Sequence, residues 1–273
     1  MSGNTAIGEA GGLKARLRQI WMAGDYDRFS RYLETGAREF YERLNLAPGC
    51  RLLDVGCGSG QLALMAAKDR LIVTGVDIAA NWIERARARA EAEGLTARFE
   101  EADAEALPFE EESFDAVVSV IGAMFAPRPD LVAKELLRVC TPGGTIAMAN
   151  WTAQGFVGQM FRVISSFIAP SGMPSPLLWG DEATVRDRLG DGLCELRLTR
   201  RHYTLSYPFP PSEVVESFRL YYGPANQAFA SLDPASREQL RRELEALWSA
   251  HNRGGADCTT VFGEYLEVIG IKR

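Results

Sequence analysis

Residues that build metal centres and catalytic bases are scarce in this sequence. Its 273 residues include only two histidines, His202 and His251. The five cysteines are odd in number and widely spaced, with no Cys-x-x-Cys pair, so neither a zinc site nor a complete disulfide framework is predicted. We therefore expect no bound metal and reduced thiols, as in a cytoplasmic protein.

The sequence also lacks a surplus of positive charge and any long apolar run. Its formal net charge of -6 offers no attraction to the phosphates of nucleic acid. No run approaches the roughly 20 apolar residues that cross a membrane, because the longest candidate, 156–169, is interrupted by polar residues. Residues 1–12 show no basic region followed by an apolar one, so we expect no signal peptide. These absences favour a cytoplasmic protein with a small-molecule partner, no nucleic acid and no membrane, and they leave the oligomeric state open.

The most informative stretch joins an apolar run to a series of glycines. The run that opens at Leu52 is typical of a buried strand and ends at glycines in alternate positions, Gly56, Gly58 and Gly60. Apolar residues then resume at helical spacing. Because glycine has no Cβ, the backbone here can turn sharply and bring amides at the helix N-terminus to a ligand. The pattern predicts a strand, a ligand-binding glycine turn and a helix, with Cys57 as a small turn residue.

Two acids bear on which ligand this turn would bind, since dinucleotide-binding turns have similar glycine spacing. Asp54 stands two residues before Gly56, where a carboxylate would repel a pyrophosphate and attract a cation. No glycine completes the usual dinucleotide pattern at Gln61. A second predicted strand, 71–76, ends at Asp77, which is placed to accept hydrogen bonds from a ribose diol.

The segment Asp54-x-Gly-Cys-Gly-Ser-Gly, together with Asp77, resembles the cofactor-binding signature of class I S-adenosylmethionine-dependent methyltransferases, in the type 11 or UbiE-like branch. A later run, 114–144, resembles the same family, so the resemblance covers about residues 20–150. It implies S-adenosyl-L-methionine as cofactor and S-adenosyl-L-homocysteine as product; this ligand has a sulfonium, an ammonium and a ribose but no phosphate. The implied cofactor contacts are Asp54, Gly56, Cys57, Gly58, Gly60, Asp77, Ile78, Asp103, Ala104 and Val120.

Two further predicted strands are expected to reach the same ligand, because ligands of open α/β sheets bind outside the carboxyl ends of the strands. The strand 97–102 delivers Asp103, which corresponds to the adenine-contacting acid of the resembled family, and Ala104, which gives the ring an apolar wall. An ordinary acidic loop is the alternative. The strand 114–120 is a buried parallel strand, whose last residue should border the cofactor.

The expected fold is α/β, with a doubly wound, seven-stranded, mostly parallel Rossmann-like sheet and a C-terminal helical cap insertion. We expect a disordered tail at 1–20 and a cofactor-binding core with an N-terminal lid helix at 21–151. Residues 152–273 should add the acceptor cap to the same domain. By analogy with the family's topology, they should also supply the last two strands, at 195–207 and 259–271, the final one antiparallel.

Methyl transfer from a sulfonium is an in-line displacement, for which alignment of the reactants and exclusion of water can suffice. His251 is the one candidate for a general base, although a histidine packed at a helix end is the more common case. Tyr26 in the lid, Phe125 after the fourth strand and Trp151 after the fifth are the candidate acceptor contacts. Core packing is the alternative for each of these rings.

The sequence therefore predicts a transferase of class EC 2.1.1, which moves a methyl group to a small apolar or aromatic metabolite. Two other classes stay open at this point. A nicotinamide-dependent oxidoreductase would share the fold and the glycine turn, but Asp54 argues against it. A non-catalytic regulatory module would bind S-adenosylmethionine without turnover. The acceptor's identity, and whether oxygen, nitrogen or carbon is methylated, stay open.

Overall fold

A computed structural model describes residues 3–169 and 172–273, with side chains from Gly12 onward. Within these residues, seven strands form one sheet in the order β3-β2-β1-β4-β5-β7-β6. The strands are β1 Arg51–Val55, β2 Ile72–Asp77, β3 Arg98–Glu101, β4 Phe114–Val120, β5 Cys140–Trp151, β6 Leu193–Tyr207 and β7 Thr259–Lys272. The first five strands run parallel, and β7 is antiparallel to both of its neighbours. This confirms the predicted fold, including the place and direction of the last two strands.

Helices cover both faces of the sheet and extend beyond its carboxyl edge. The α-helices of the described residues are α1 Gly3–Met22, α2 Tyr26–Ser30, α3 Glu34–Leu44, α4 Gln61–Lys68, α5 Ala80–Ala92, α6 Pro129–Val139, α7 Phe156–Ser165, α8 Glu182–Leu189, α9 Pro211–Tyr221, α10 Gly223–Ser231 and α11 Pro234–His251. The last three helices lie between β6 and β7 in sequence, where the chain was expected to form a cap.

The order of the parallel strands creates a crevice beside β1. After β1 the chain crosses to β2 on one side, whereas β4 pairs with the other side of β1. The strand order reverses between β1 and β4, and ligands of open α/β sheets bind at such a switch point, outside the carboxyl ends. The cores of both strands are buried, as expected for strands covered on both faces. The fold thus brings the glycine turn to the ligand-binding edge.

The segment that was expected to be a disordered tail contains α1 from Gly3 onward. Two residues of this helix contact partners that are distant in sequence. Lys14 forms ion pairs with Asp103 and Glu105, and Leu17 is buried against the core with only 8% of its surface exposed. The glycine-rich composition of the tail gives no local signal for these contacts.

Gly60, at the start of α4, provides a test of how tightly the glycine turn is packed. Its φ is 85°, and a Cβ there would lie 3.2 to 3.3 Å from Phe99 and Ala86. We expect Gly60→Ala to lower the free energy of unfolding by about 2 to 4 kcal/mol, which combines left-handed strain with overpacking. The loss would be measured by urea unfolding.

Gly49→Ala is the matched control, because Gly49 has a similar φ of 83° and a Cβ there would meet nothing within 4 Å. It should lose only the strain, about 1 to 2 kcal/mol. Equal losses in the two variants would show that the packing of Phe99 and Ala86 against position 60 does not require a glycine there.

Candidate active site

A cleft opens at the carboxyl edge of the sheet, above β1, β2 and β4. Its volume, including the open mouth, is about 800 Å³. The glycine turn and the strand ends form the floor, and α1 and α2 form the roof. Of the predicted cofactor contacts, the cleft is lined by Gly56, Gly58, Asp77, Ile78, Asp103 and Ala104.

A smaller cavity adjoins the cleft behind the glycine turn. It is lined by Asp54, Cys57 and Val120, and it shares Tyr26 and Gly56 with the cleft. Nine of the ten predicted cofactor contacts therefore lie on one continuous surface. The tenth, Gly60, lies on neither cavity and serves the packing of α4 instead.

Hydrogen bonds tie the glycine turn to the end of β2. The amides of Gly56 and Cys57 both donate to the carbonyl of Val76, at 2.8 and 3.0 Å. The amide of Gly58 donates to Oδ2 of Asp77 at 2.9 Å. A Cβ at Gly58 would lie 2.8 Å from the ring of Tyr26, so only glycine lets the lid residue cover the turn this closely.

Asp77 receives a second hydrogen bond from the Ala79 amide, 2.9 Å from its Oδ1. Burial raises the pKa of this carboxyl, and the amides of Ala79 and Gly58 act against that rise. Each carboxylate oxygen keeps a free acceptor position. Asp77 can therefore be held by the turn and still accept hydrogen bonds from a ligand diol.

Asp54 is the most deeply buried acid of the site, with 2% of its surface exposed. Burial, together with the charge of nearby Asp77, raises its pKa to about 7, although the amide of Ala63 opposes the shift. A carboxyl with this pKa is easily converted to its charged form by a cation nearby. Burial also raises the pKa of the Cys57 thiol, which leaves that side chain protonated and unreactive, as expected for a small turn residue.

One end of the cleft combines an acid with apolar walls. Ile78 and Ala104 face it, and Asp103 accepts a hydrogen bond from the Glu105 amide at 2.9 Å. Lys14 of α1 is bonded to the same acid, so α1 closes this end of the cleft. Sequence reasoning missed Lys14, since nothing near it in sequence indicates a partner 89 residues away.

The charges of the site suit a cationic nucleoside. Asp54, Asp77 and Asp103 contribute three carboxylates, whereas Lys14 is the one basic residue on the described lining of the two cavities. A pyrophosphate would need arginine, lysine or free amides to balance its charge. Because the Gly58 amide is already bonded to Asp77, the residues present fit S-adenosylmethionine better than a dinucleotide.

Aromatic rings close the far side of the cleft. The centroid of the Phe125 ring lies 4.8 Å from that of Trp21 and 6.2 Å from that of Phe161. Trp21 also contacts Tyr222 at 5.9 Å. Tyr26 lies between the two cavities, and burial raises the pKa of its phenol, which therefore stays protonated. Tyr26 and Phe125 both line the cleft, as does Trp21, whereas Tyr222 is buried behind Trp21.

The structure does not bring Trp151 or His251 to this site. Trp151 is 5% exposed and packs on Tyr203 with ring centroids 5.3 Å apart. The segment 176–180 covers the end of β5, which the sequence could not show. The Nδ1 of His251 lies 3.0 Å from the Leu247 carbonyl, and the ring packs on Phe156 at the end of α11. Neither residue lines the cleft or the adjoining cavity, so the general-base candidate and one acceptor candidate are misplaced.

Membrane spans and metal clusters are both absent from the described residues. None of the helices in 3–169 and 172–273 has the length and apolar character of a membrane span. Among the side chains described from Gly12 onward, no group of three or more histidine, cysteine, aspartate or glutamate residues is arranged to hold a metal ion.

A sheet of this order, with a glycine turn after β1 and an acid at the end of β2, defines the class I methyltransferase fold. Residues 53–148 match the family model described as a methyltransferase domain. The demethylmenaquinone methyltransferase of Thermus thermophilus is 38% identical over 160 residues, which span 55% of this chain and 72% of that one. The chain belongs to the class I S-adenosylmethionine-dependent methyltransferases, and S-adenosyl-L-methionine is its cofactor.

Two further comparisons cover nearly the whole chain. An uncharacterised protein of Mycobacterium tuberculosis is 37% identical over 266 residues, which span 96% of each chain. The crystal structure of a putative methyltransferase from Bacillus halodurans superposes with a TM-score of 0.60 at 18% identity, over 86% of this chain and 98% of that one. The similarity to the mycobacterial protein includes the C-terminal cap, beyond the part that matches the family model.

The raised pKa of Asp54 should make cofactor affinity depend on pH. A bound cation favours the charged carboxylate, so binding releases a proton whenever the free carboxyl is protonated. Affinity for S-adenosylmethionine should therefore rise with pH, by at most about tenfold per unit, and level off above about 7. Titration calorimetry in two buffers of different ionisation enthalpy would measure both the affinity and the proton released.

Asp54→Asn is the matched control, because it keeps the shape of the side chain and cannot ionise. It should bind more weakly at pH 8, and its affinity should rise less with pH than that of the wild type, with Asp77 as the remaining buried acid. The stability of the free protein should change in the opposite direction to cofactor affinity. Its free energy of unfolding should fall as the pH rises from 3.8 to about 7, because the buried carboxyl is then ionised. A wild-type affinity that is independent of pH would contradict the role given to Asp54.

Proposed function

We propose that this protein transfers the methyl group of S-adenosylmethionine to a small apolar or aromatic metabolite in the cytoplasm. The observation that carries the proposal is the aromatic wall beside the acid-lined cleft, in which Trp21 and Phe125 line the cleft and Phe161 and Tyr222 pack behind them. Acids on one side suit a cationic cofactor, and rings on the other suit an uncharged, flat acceptor. The net charge of -6 supports a small molecule over nucleic acid as the acceptor.

The aromatic wall is assembled from four separate elements. Trp21 comes from α1, Phe125 follows β4, Phe161 lies on α7 and Tyr222 joins α9 to α10. Aromatic rings give a large contact area and prefer edge-to-face or offset neighbours. The contact between Trp21 and Tyr222 is edge-to-face at 74°. A planar acceptor would find the same type of neighbour on this wall.

When bound, the cofactor supplies an electrophilic methyl group on a positively charged sulfur. The side chains of this protein then have four tasks. Asp77 binds the ribose, Asp103 binds the base, and Asp54 balances positive charge at the amino-acid end. Tyr26 covers the turn and excludes water from the reacting centre. Fixing both reactants in line removes the orientational part of the barrier.

The proposal assigns no proton transfer to a side chain. No histidine lies on the described lining of the cleft or of the adjoining cavity. The raised pKa of Tyr26 keeps its phenol protonated near neutral pH, so that residue is no base either. The acceptor is therefore expected to bring a nucleophile that is already reactive, or to lose its proton to water.

A screen for tritiated methyl transfer tests the proposed function. Purified protein, labelled S-adenosylmethionine and a panel of phenols, quinols, amines and thiols would be incubated together, and organic extracts would be counted. Label should enter at least one apolar acceptor with the wild-type protein. Asp77→Ala should transfer none, because it loses the ribose contact and the bond to Gly58.

Two results of the screen would replace the proposed function. Tight cofactor binding without transfer to any acceptor would favour a regulatory module. Binding of a nicotinamide cofactor in place of S-adenosylmethionine would favour an oxidoreductase. A labelled product from a charged, hydrophilic acceptor alone would keep the activity and contradict the acceptor class.

Phe125 and Trp151 form a matched pair for testing the acceptor wall. Phe125→Ala should raise the acceptor KM about three- to tenfold, since it removes one ring contact, and cofactor affinity should change little. Trp151→Phe should leave the acceptor KM unchanged and lower the free energy of unfolding by about 2 kcal/mol, because the ring lies in the core. Steady-state kinetics and urea unfolding would separate the two effects. A raised KM in Trp151→Phe alone would move the acceptor site to the end of β5.

A further inference from the structure

The lid helix α2 carries a buried acid that the proposed function does not use. Asp27 follows Tyr26 directly and is 3% exposed. The Oδ2 of Asp27 accepts from Nε and Nη2 of Arg85, at 3.1 and 3.0 Å. Arg31 and Arg89 pair with the same carboxylate at 3.3 and 3.5 Å. A buried acid with three arginine partners is costly to assemble and depends on the geometry around it.

The same group of residues contacts the glycine turn. Nη1 of Arg89 donates to the carbonyl of Ser59 at 3.0 Å. Burial alone would raise the pKa of Asp27, but hydrogen bonds from Arg85 and from Ser59 hold it below its usual value. Nε2 of Gln61 donates to the Ser59 hydroxyl at 2.8 Å and also reaches Ser30 on α2. The turn is therefore held at Ser59 through both its backbone and its side chain.

The other face of α2 is attached to the cap independently of Asp27. The Phe29 ring lies 4.8 Å from Phe218 and 4.9 Å from Tyr222, centroid to centroid, and Phe29 is 3% exposed. These apolar contacts dock the helix without help from the ion pairs. Phe29 therefore holds α2 against the cap, and Asp27 can determine the position of α2 relative to the glycine turn on the opposite side.

Two contacts of the cofactor site depend on how α2 packs against the glycine turn. Tyr26 covers Gly58 so closely that a Cβ there would lie 2.8 Å from its ring. Gly58 in turn donates to Asp77. Displacing Ser59 or α2 would change both contacts. We propose that Asp27 is a positioning residue for the cofactor, which fixes the glycine turn through Ser59 and Arg89 and holds Tyr26 over Gly58.

Preorganisation is the physical effect involved. A turn that is already held in its binding shape loses less entropy when the ligand arrives, so affinity increases without a new contact. Asp27 lies on neither cavity lining and acts only through its neighbours. The inference rests on the proposed function only in needing the cleft to bind the cofactor.

Asp27→Asn tests the proposal, because it keeps the size of the side chain and removes its charge. Titration calorimetry with S-adenosylhomocysteine should show a dissociation constant raised about tenfold or more, as expected when hydrogen bonds to a charged group are lost. Hydrogen exchange of the Gly58 and Ser59 amides should become faster in the free protein. Amides of the central strand β4 should exchange as in the wild type.

Asp115→Asn is the matched control for the loss of an aspartate-arginine pair. Asp115 bonds Arg51 at 2.6 and 3.1 Å at the opposite end of β4, away from the cleft. This variant should bind S-adenosylhomocysteine as the wild type does. Unchanged affinity and unchanged turn exchange in folded Asp27→Asn would overturn the proposal, whatever its melting temperature.

A double-mutant cycle tests whether Asp27 acts through the turn. Ser59→Ala removes the hydroxyl that helps to hold the pKa of Asp27 low and that accepts from Gln61. If both residues act through the turn, the pair of substitutions should weaken binding little more than Asp27→Asn alone. Fully additive losses would overturn the proposal.

If Asp27→Asn does not fold, Arg89→Met is the second variant. It removes the bond to the Ser59 carbonyl and the longer pair with Asp27, and it leaves Arg85 and Arg31 on that acid. The dissociation constant should rise about threefold, and an unchanged value would also overturn the proposal.

Failure of the proposed function is distinguishable from failure of this inference. A wild-type protein that binds no S-adenosylhomocysteine would defeat the proposed function and leave no affinity to compare. A wild-type protein that binds it as tightly as Asp27→Asn does would defeat the role of Asp27 alone.

Discussion

The hydrogen bond from the Gly58 amide to Asp77 is the interaction on which the site depends. A carboxyl group buried at the end of β2 is unfavourable unless polar groups meet it, and the glycine turn supplies an amide at 2.9 Å. The bond fixes the turn relative to the second strand and orients the acid towards the cleft. It also uses the amide that a phosphate would otherwise bind. One contact therefore shapes the site and biases it towards cationic ligands.

Features that depend on neighbouring residues and on sheet topology were predictable from the sequence. Asp54, Asp77 and Asp103 were each assigned to the end of a parallel strand, and each lies on the cleft or the adjoining cavity. The inference succeeds because all carboxyl ends of parallel strands meet at one edge. Strand direction and order then place residues from three separate segments together, without any knowledge of their side-chain contacts.

Features that depend on distant partners were not predictable. Arg85 and Arg89 of α5 pair with Asp27, which lies 58 and 62 residues earlier in the chain. Helical periodicity predicts which face of a helix a residue occupies. It does not predict which residue of another element packs against that face. The prediction for Trp151 was limited in another way. Trp151 lies at the end of a parallel strand as expected, but the segment 176–180 covers it. Coverage by later segments is a tertiary effect with no local signal.

Burial of these acids has opposite effects in the free protein and beside a bound cation. Buried carboxyls with raised pKa values, as at Asp54 and Asp77, gain most from a nearby positive charge, because little solvent screens the attraction. The same lack of solvent makes their charged forms unfavourable while no cation is near. The burial that destabilises these charges in the free protein therefore strengthens their attraction to a cationic ligand.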